Sequence, residues 1–166
     1  DLIGKVVNIA SRSASFIVKK YDKQLSGESI EGDLYAEFVA ASSEIATHYE
    51  DRNFGHAMRS IMKLADKANQ YIDDKKPWQL AKEEGKDQEV HEITSLAINL
   101  FRVLMTYLKP VLPEMSKASE AFLNIDSLNW GDVKSPLTSH QINKFKPLMT
   151  RIEDDQIEAM IESSKV

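Results

Sequence analysis

The chain has 166 residues, 42% of them hydrophobic and 28% charged, enough to bury roughly 70% of the surface an unfolded chain exposes and to form one domain. A formal net charge of -5 excludes a protein that coats nucleic acid through broad phosphate neutralisation, while leaving room for a local basic stripe. With 6 glycines and 5 prolines there is little turn material for an all-β fold, and with no cysteine there is neither a disulfide framework nor a thiolate metal site, which fits a reducing, cytoplasmic setting.

No apolar run approaches the roughly 20 residues of a membrane span, and residues 1–4 lack the basic and apolar regions of a secretion signal. The sequence therefore reads as soluble, with no membrane partner. It opens on an aspartate with a helical pattern already under way, which reads as a piece of a longer chain with something upstream.

Over residues 2–21, Leu2, Val6, Ile9 and Phe16, joined by Val7, Ala10, Ala14 and Ile17, recur as in an amphipathic helix. Lys5, Asn8, Arg12, Ser15 and Lys19 follow one another at steps of three and four, so they share one side as a polar, basic ribbon. Solvated helix faces look like this too. Asn8 argues for something more, because asparagine competes for backbone hydrogen bonds and is not the default residue of such a face. Residues 24–32 break the helix.

Asp33 is positioned to cap a second helix with Leu34, Phe38, Ala41, Ile45 and Tyr49 on its apolar side, and Asn53 to cap a third running to about residue 73. On the third helix Asp66, Asn69 and Asp73 share a side, and Lys75, Lys76, Pro77 and Trp78 follow, with Pro77 ending the helix. Two readings of Trp78 are open. It is either a core residue folded back under the loop or a stacking platform on a backbone stiffened by Pro77, where an indole face offers a base about 1–3 kcal/mol. An amide, a guanidinium and an indole suffice to read an unpaired cytosine: arginine donates to O2 and N3, the asparagine carbonyl accepts from N4, and the ring stacks beneath. Nothing in the sequence itself brings the first and third helices side by side.

Past the polar loop around Gly85, Asp87 is placed to cap a fourth helix. There Ile93, Leu96, Ala97, Leu100, Phe101, Leu104 and Leu108 cover more than half the circumference, so this helix is expected at the centre of a bundle. Pro110 and Pro113 bend or stop it, and a fifth helix follows to about residue 123. The pattern fades over residues 124–147, an irregular stretch containing Trp130 and Gly131. It recovers where Asp155 and Glu158 make an acidic variant of the capping box for a short helix over about 155–163. Without strand alternation or an internal repeat, the expected architecture is a single all-α domain over 1–166, an antiparallel helical bundle.

Three ordered blocks carry a family resemblance: Asp-Leu-Ile-Gly-Lys-Val-Val-Asn-Ile-Ala-Ser-Arg over 1–12, Ala-Asp-Lys-Ala-Asn-Gln-Tyr-Ile-Asp over 65–73 followed by Pro77 and Trp78, and Asn-Leu-Phe-Arg-Val-Leu-Met-Thr-Tyr-Leu-Lys-Pro-Val-Leu-Pro over 99–113. They resemble the anticodon-binding domain of methionyl-tRNA synthetases, a class I family. The resemblance implies a helical bundle that binds the CAU anticodon of methionine tRNA, with its first-position cytosine recognised at Asn8, Arg12 and Trp78, and Pro77 beside it. It also implies that Asp66 and Asp73 face the anticodon pocket, where their charge would repel phosphate and disfavour the wrong tRNA. Backbone contacts are expected from Lys5, Asn69 and Arg151. The partners implied are methionine tRNA and an N-terminal catalytic domain, with no DNA. Cofactors, ATP and magnesium (Mg), belong to that catalytic domain, and none is expected in this chain.

Residues 114–119, Glu-Met-Ser-Lys-Ala-Ser, look superficially like the Lys-Met-Ser-Lys-Ser loop of class I synthetases, but the first lysine is a glutamate, an alanine is inserted, and the segment falls on an expected helix. His48, His56, His91 and His140 are scattered, and Glu44 with His48 makes one pair of possible ligands rather than a metal site. No catalytic residue is expected. The alternative to tRNA binding is a helical scaffold that docks a protein partner through an exposed apolar face.

Overall fold

A computed structural model describes residues 2–27, 32–146 and 161. The described residues form α1 (Leu2–Lys20), α2 (Asp33–Ala40), α3 (Ser42–Glu50), α4 (Phe54–Lys75), α5 (Pro77–Leu80), α6 (Asp87–Leu108), α7 (Pro113–Leu123) and a 3-10 helix (Trp130–Lys134). An isolated antiparallel bridge joins Gln24 to Gln141. No helix among them is long and apolar enough to cross a membrane.

The bundle is organised around α6, as its broad apolar surface predicts. Sixteen of its 22 residues are buried, including every one from Ala97 onward, because α1, α2, α4, α5, α7 and the 3-10 helix all pack on it. On α1 the buried stripe is Leu2, Ile3, Val6, Ile9, Ala10, Ala14 and Ile17. Phe16, expected in that stripe, is only half-buried, and Ile3 takes the core position instead.

Helix sense follows from side-chain pairs. Lys5 meets Asp66, Asn8 meets Asn69 and Arg12 meets Asp73, each 61 positions apart. A constant offset in the same direction means that α1 and α4 run parallel, with α2 and α3 returning the chain between them. In contrast, the Tyr21 hydroxyl at the end of α1 donates to the Asp87 carbonyl at the start of α6 (2.9 Å), so α6 is antiparallel to that pair.

Several boundaries differ from expectation. The second expected helix divides at Ala41, whose ψ of -10° turns the axis, so that α2 packs on α6 while α3 packs on α4. Asp33 and Asp87 are not caps: each is the first residue inside its helix, behind Gly32 and Lys86, with no side-chain cap bond. Their charge acts instead on the first-turn dipole. Asn53 does occupy the N-cap position of α4, but its Oδ1 bonds His56 Nδ1 (2.5 Å) rather than a backbone N–H.

The irregular stretch is firmly attached. Leu128, Val133 and Ile142 are buried, and Trp130 packs on Tyr107 and Tyr49, with ring centroids 4.8 and 6.2 Å apart. Asn99 Nδ2 donates to the Leu137 carbonyl (3.0 Å) while the Leu137 N–H donates to Asn99 Oδ1 (2.7 Å). Arg102 donates to the carbonyls of Ser135 (2.8 Å) and Asp132 (2.9 Å). Arg151, Asp155, Glu158 and, apart from Ile161, the short helix expected over 155–163 lie outside the described residues.

Buried phenols give the fold an alkaline limit. Tyr49 donates to the Tyr107 carbonyl (2.6 Å) and Tyr107 to the Phe38 carbonyl (2.7 Å). Burial pushes both phenols well above their ordinary range, and pushes Tyr71 up to about 12. Unfolded phenols titrate near pH 10. The stability from these protonated phenols is therefore complete below about pH 10 and is lost above it, as the unfolded chain gives up protons the folded one retains. Urea unfolding should give a constant free energy at neutral pH and a falling one above about pH 10, with phenolate absorbance rising together with unfolding. Full phenolate absorbance near that pH in a chain still folded would contradict this.

Candidate nucleic-acid interface

The parallel offset turns two separate helical stripes into facing halves of one site. Gly4, Lys5, Asn8 and Arg12 of α1 and Asp66, Asn69 and Asp73 of α4 line a shallow cavity of about 480 Å³. Three rungs cross it: Lys5 Nζ to Asp66 Oδ1 at 2.6 Å, Asn8 Nδ2 to Asn69 Oδ1 at 3.1 Å, and Arg12 Nη2 to Asp73 Oδ1 at 2.6 Å. Gly4 was not among the expected residues. Its signal was there, four positions before Asn8 on the same face.

The two ionic rungs flank the amide rung. The side chains of Asp66 and Asp73 are 54% and 56% exposed, so each pair contributes about 0–1 kcal/mol and is readily exchanged for contacts to a ligand. Two cations and two carboxylates cancel in formal charge. A lining of that kind suits a planar, uncharged group rich in donors and acceptors better than it suits phosphate.

At the Arg12 end the chain turns sharply. The Lys76 N–H closes the last turn of α4 on the Ile72 carbonyl (2.9 Å), and Lys76 itself is left-handed, with φ 50°, since Pro77 disfavours a continued α conformation before it. Pro77 starts α5 and is buried, whereas Trp78 is 38% exposed, the one large apolar side chain so exposed among the described residues. Of the two readings of Trp78, the folded-back core residue is thereby set aside. Arg12 Cζ lies 5.0 Å from the Trp78 ring centroid, within cation–π range, so the guanidinium links the cavity to the indole. Trp78 borders the cavity through Arg12 rather than lining it.

Elsewhere the sites set aside on sequence stay apart from this face. Residues 114–119 lie on α7 with Met115, Ser116 and Ser119 buried, which is not how an exposed nucleotide-binding loop sits. His48 stacks on His56 and its Nε2 lies 3.5 Å from Glu44. No group of three or more metal-ligating side chains is brought together among the described residues.

Fold and site together define an all-α binding module with a polar, charge-balanced cavity beside an exposed indole. The family profile described as the anticodon binding domain of methionyl tRNA ligase matches residues 24–163, and the chain belongs to that family. Residues 1–12 precede the matched stretch, but they fall within the similarity to whole relatives. A methionine–tRNA ligase of Vesicomyosocius okutanii subsp. Calyptogena okutanii (strain HA) is 67% identical over 165 residues, 99% of this chain and 30% of its own length. One of Psychrobacter sp. (strain PRwf-1) is 59% identical over 165 residues, 99% of this chain and 24% of its own length. The chain thus spans less than a third of the curated relatives it matches.

Solved structures agree on the fold. Mycobacterium tuberculosis methionyl-tRNA synthetase in complex with methionyl-adenylate superposes with a TM-score of 0.80 at 22% identity, covering 91% of this chain and 31% of that one. Its apo form gives 0.77 at 22% identity, covering 87% and 31%.

Proposed function

We propose that residues 1–166 act as one module that binds the anticodon loop of methionine tRNA and reads the first base of CAU, a cytosine, between α1 and α4. The observation that carries this reading is the amide rung beside the indole. Asn8 Nδ2 is engaged by Asn69, which leaves Oδ1 as an acceptor for cytosine N4–H, next to the guanidinium that stands over Trp78. A base stacking on that ring displaces the guanidinium to the base edge, where it donates to O2 and N3. Asp66 and Asp73 position Lys5 and Arg12 until the loop arrives and repel phosphates that enter out of register. Lys5 and Arg151 contact the backbone.

In the whole enzyme this module selects the tRNA, while an N-terminal catalytic domain uses ATP and magnesium to attach methionine. The scaffold alternative calls for a broad exposed apolar face, and Trp78 stands alone as an exposed large apolar side chain among the described residues.

Labelled CAU and UAU anticodon stem-loops titrated at one fixed salt concentration test the reading. The native chain should bind CAU tighter by about tenfold, or ~1.4 kcal/mol, and Trp78→Ala should lose most of the affinity for both loops. Equal binding of the two loops by the native chain would sink the proposal.

A further inference from the structure

We infer that Asn69 is a specificity-determining positioning residue: it fixes which end of the Asn8 amide faces the cavity, and thereby whether the site accepts cytosine or uracil. The inference rests on the anticodon reading above. A side-chain amide is nearly symmetric in shape but opposite in polarity at its two ends, and a half-turn exchanges acceptor for donor. Cytosine offers a donor at N4 where uracil offers an acceptor at O4, so an exposed and unrestrained Asn8 could serve either base.

Asn69 removes that freedom. Its Nδ2 donates to two main-chain carbonyls, Lys5 O on α1 (3.0 Å) and Ala65 O on its own helix (3.1 Å), which uses both of its N–H groups. Turning Asn69 over would set Oδ1 against those two carbonyl oxygens and leave them without the donor. With the backbone holding Asn69, its Oδ1 points to Asn8 at 3.1 Å and can only accept. Turning Asn8 over would then bring two amide oxygens into contact. Orientation thus passes from backbone to Asn69, from Asn69 to Asn8, and from Asn8 to the base. Burial follows the same order, with Asn69 half-buried and Asn8 exposed.

The test compares affinities of the native chain, Asn69→Ala, Asn69→Leu, and each combined with Asn8→Asp, for CAU and UAU stem-loops, with thermal unfolding as the check on folding. Alanine favours the helix and leucine excludes a substituting water, so between them a folded variant without the acceptor is available. Either single variant should bind UAU tighter than the native chain does and CAU slightly weaker. Its preference for CAU should shrink from about tenfold to about threefold or less, the remainder coming from Arg12 at N3. Adding Asn8→Asp should restore the preference, since a carboxylate accepts at both ends and needs no orienting partner. A purely architectural Asn69 would instead weaken both loops alike, with no rescue by the aspartate. Full preference retained in the single variants overturns the role of Asn69 and leaves the anticodon reading standing. No preference in the native chain overturns both.

Discussion

Replacing Arg12 with alanine is expected to weaken binding of the CAU stem-loop by about a hundredfold, or ~2.7 kcal/mol, with only a small effect on the stability of the fold. Hydrogen bonds from a charged donor contribute about 1.5–3 kcal/mol each, and the proposed pose gives Arg12 two of them, at O2 and N3. Against this stands the loss of the Asp73 pair on binding, about 0–1 kcal/mol for a carboxylate as open to water as this one. The same numbers bound the effect on folding, because the free protein loses only that exposed pair and a cation–π contact of about 0.5–1 kcal/mol. Lys5→Ala is the comparator. It removes an ion pair of the same 2.6 Å length on the same face, but one without an indole beside it. Its expected cost is about threefold, with a shallower dependence on salt, as befits a single phosphate contact. Equal losses from both variants would mean that the cavity attracts RNA by charge alone and that no base is read at Arg12.

How far this site could be read from sequence depends on what each half needs. The stripes Lys5, Asn8, Arg12 and Asp66, Asn69, Asp73 follow from helical periodicity alone, because a helix fixes which of its own residues share a side. Their pairing rung by rung does not, since the constant offset of 61 is set by the path of α2 and α3 between the two helices. Only the family resemblance suggested that the halves meet. Helix starts were misread by one residue at Asp33 and Asp87, where an acidic side chain suits both the cap and the first turn and the pattern cannot separate them.

The two tryptophans mark the same limit. Trp78 faces outward directly after a buried proline, but a stiff Pro-Trp step suits an inward ring as well, so the sequence left both readings open. Trp130 is held inward by Tyr49 and Tyr107, partners far off in the chain that no periodicity announces.

The stretch following α7 looked featureless for a related reason: its backbone is held by groups elsewhere in the chain, two polar side chains of α6 among them, rather than by periodic bonds of its own. Asn99 and Arg102 lie 30 to 38 positions before the groups they bind, and their signal was a pair of polar residues among the apolar positions of the central helix. Arg102 is only 6% exposed, and both of its bonds go to main-chain carbonyls around the C-terminal end of the 3-10 helix: that of Ser135, just past the helix, and that of Asp132, which also accepts from the Ser135 N–H. The planar guanidinium reaches two acceptors at once, which a lysine cannot do from one nitrogen with the same geometry.

Arg102→Ala should therefore lower the unfolding free energy by about 3–5 kcal/mol, most of what two charge-assisted bonds of about 1.5–3 kcal/mol each contribute. That is a large share of the roughly 5–15 kcal/mol that holds a domain of this size together. Arg102→Lys should cost about half as much, since one carbonyl keeps a charged donor. Urea unfolding measures the energies, and hydrogen exchange at the Leu137 amide together with Trp130 emission reports whether the segment comes away from α6 before the rest unfolds. An alanine variant within about 0.5 kcal/mol of the native chain, with Trp130 emission unshifted, would place the attachment in the burial of Leu128, Val133 and Ile142 instead.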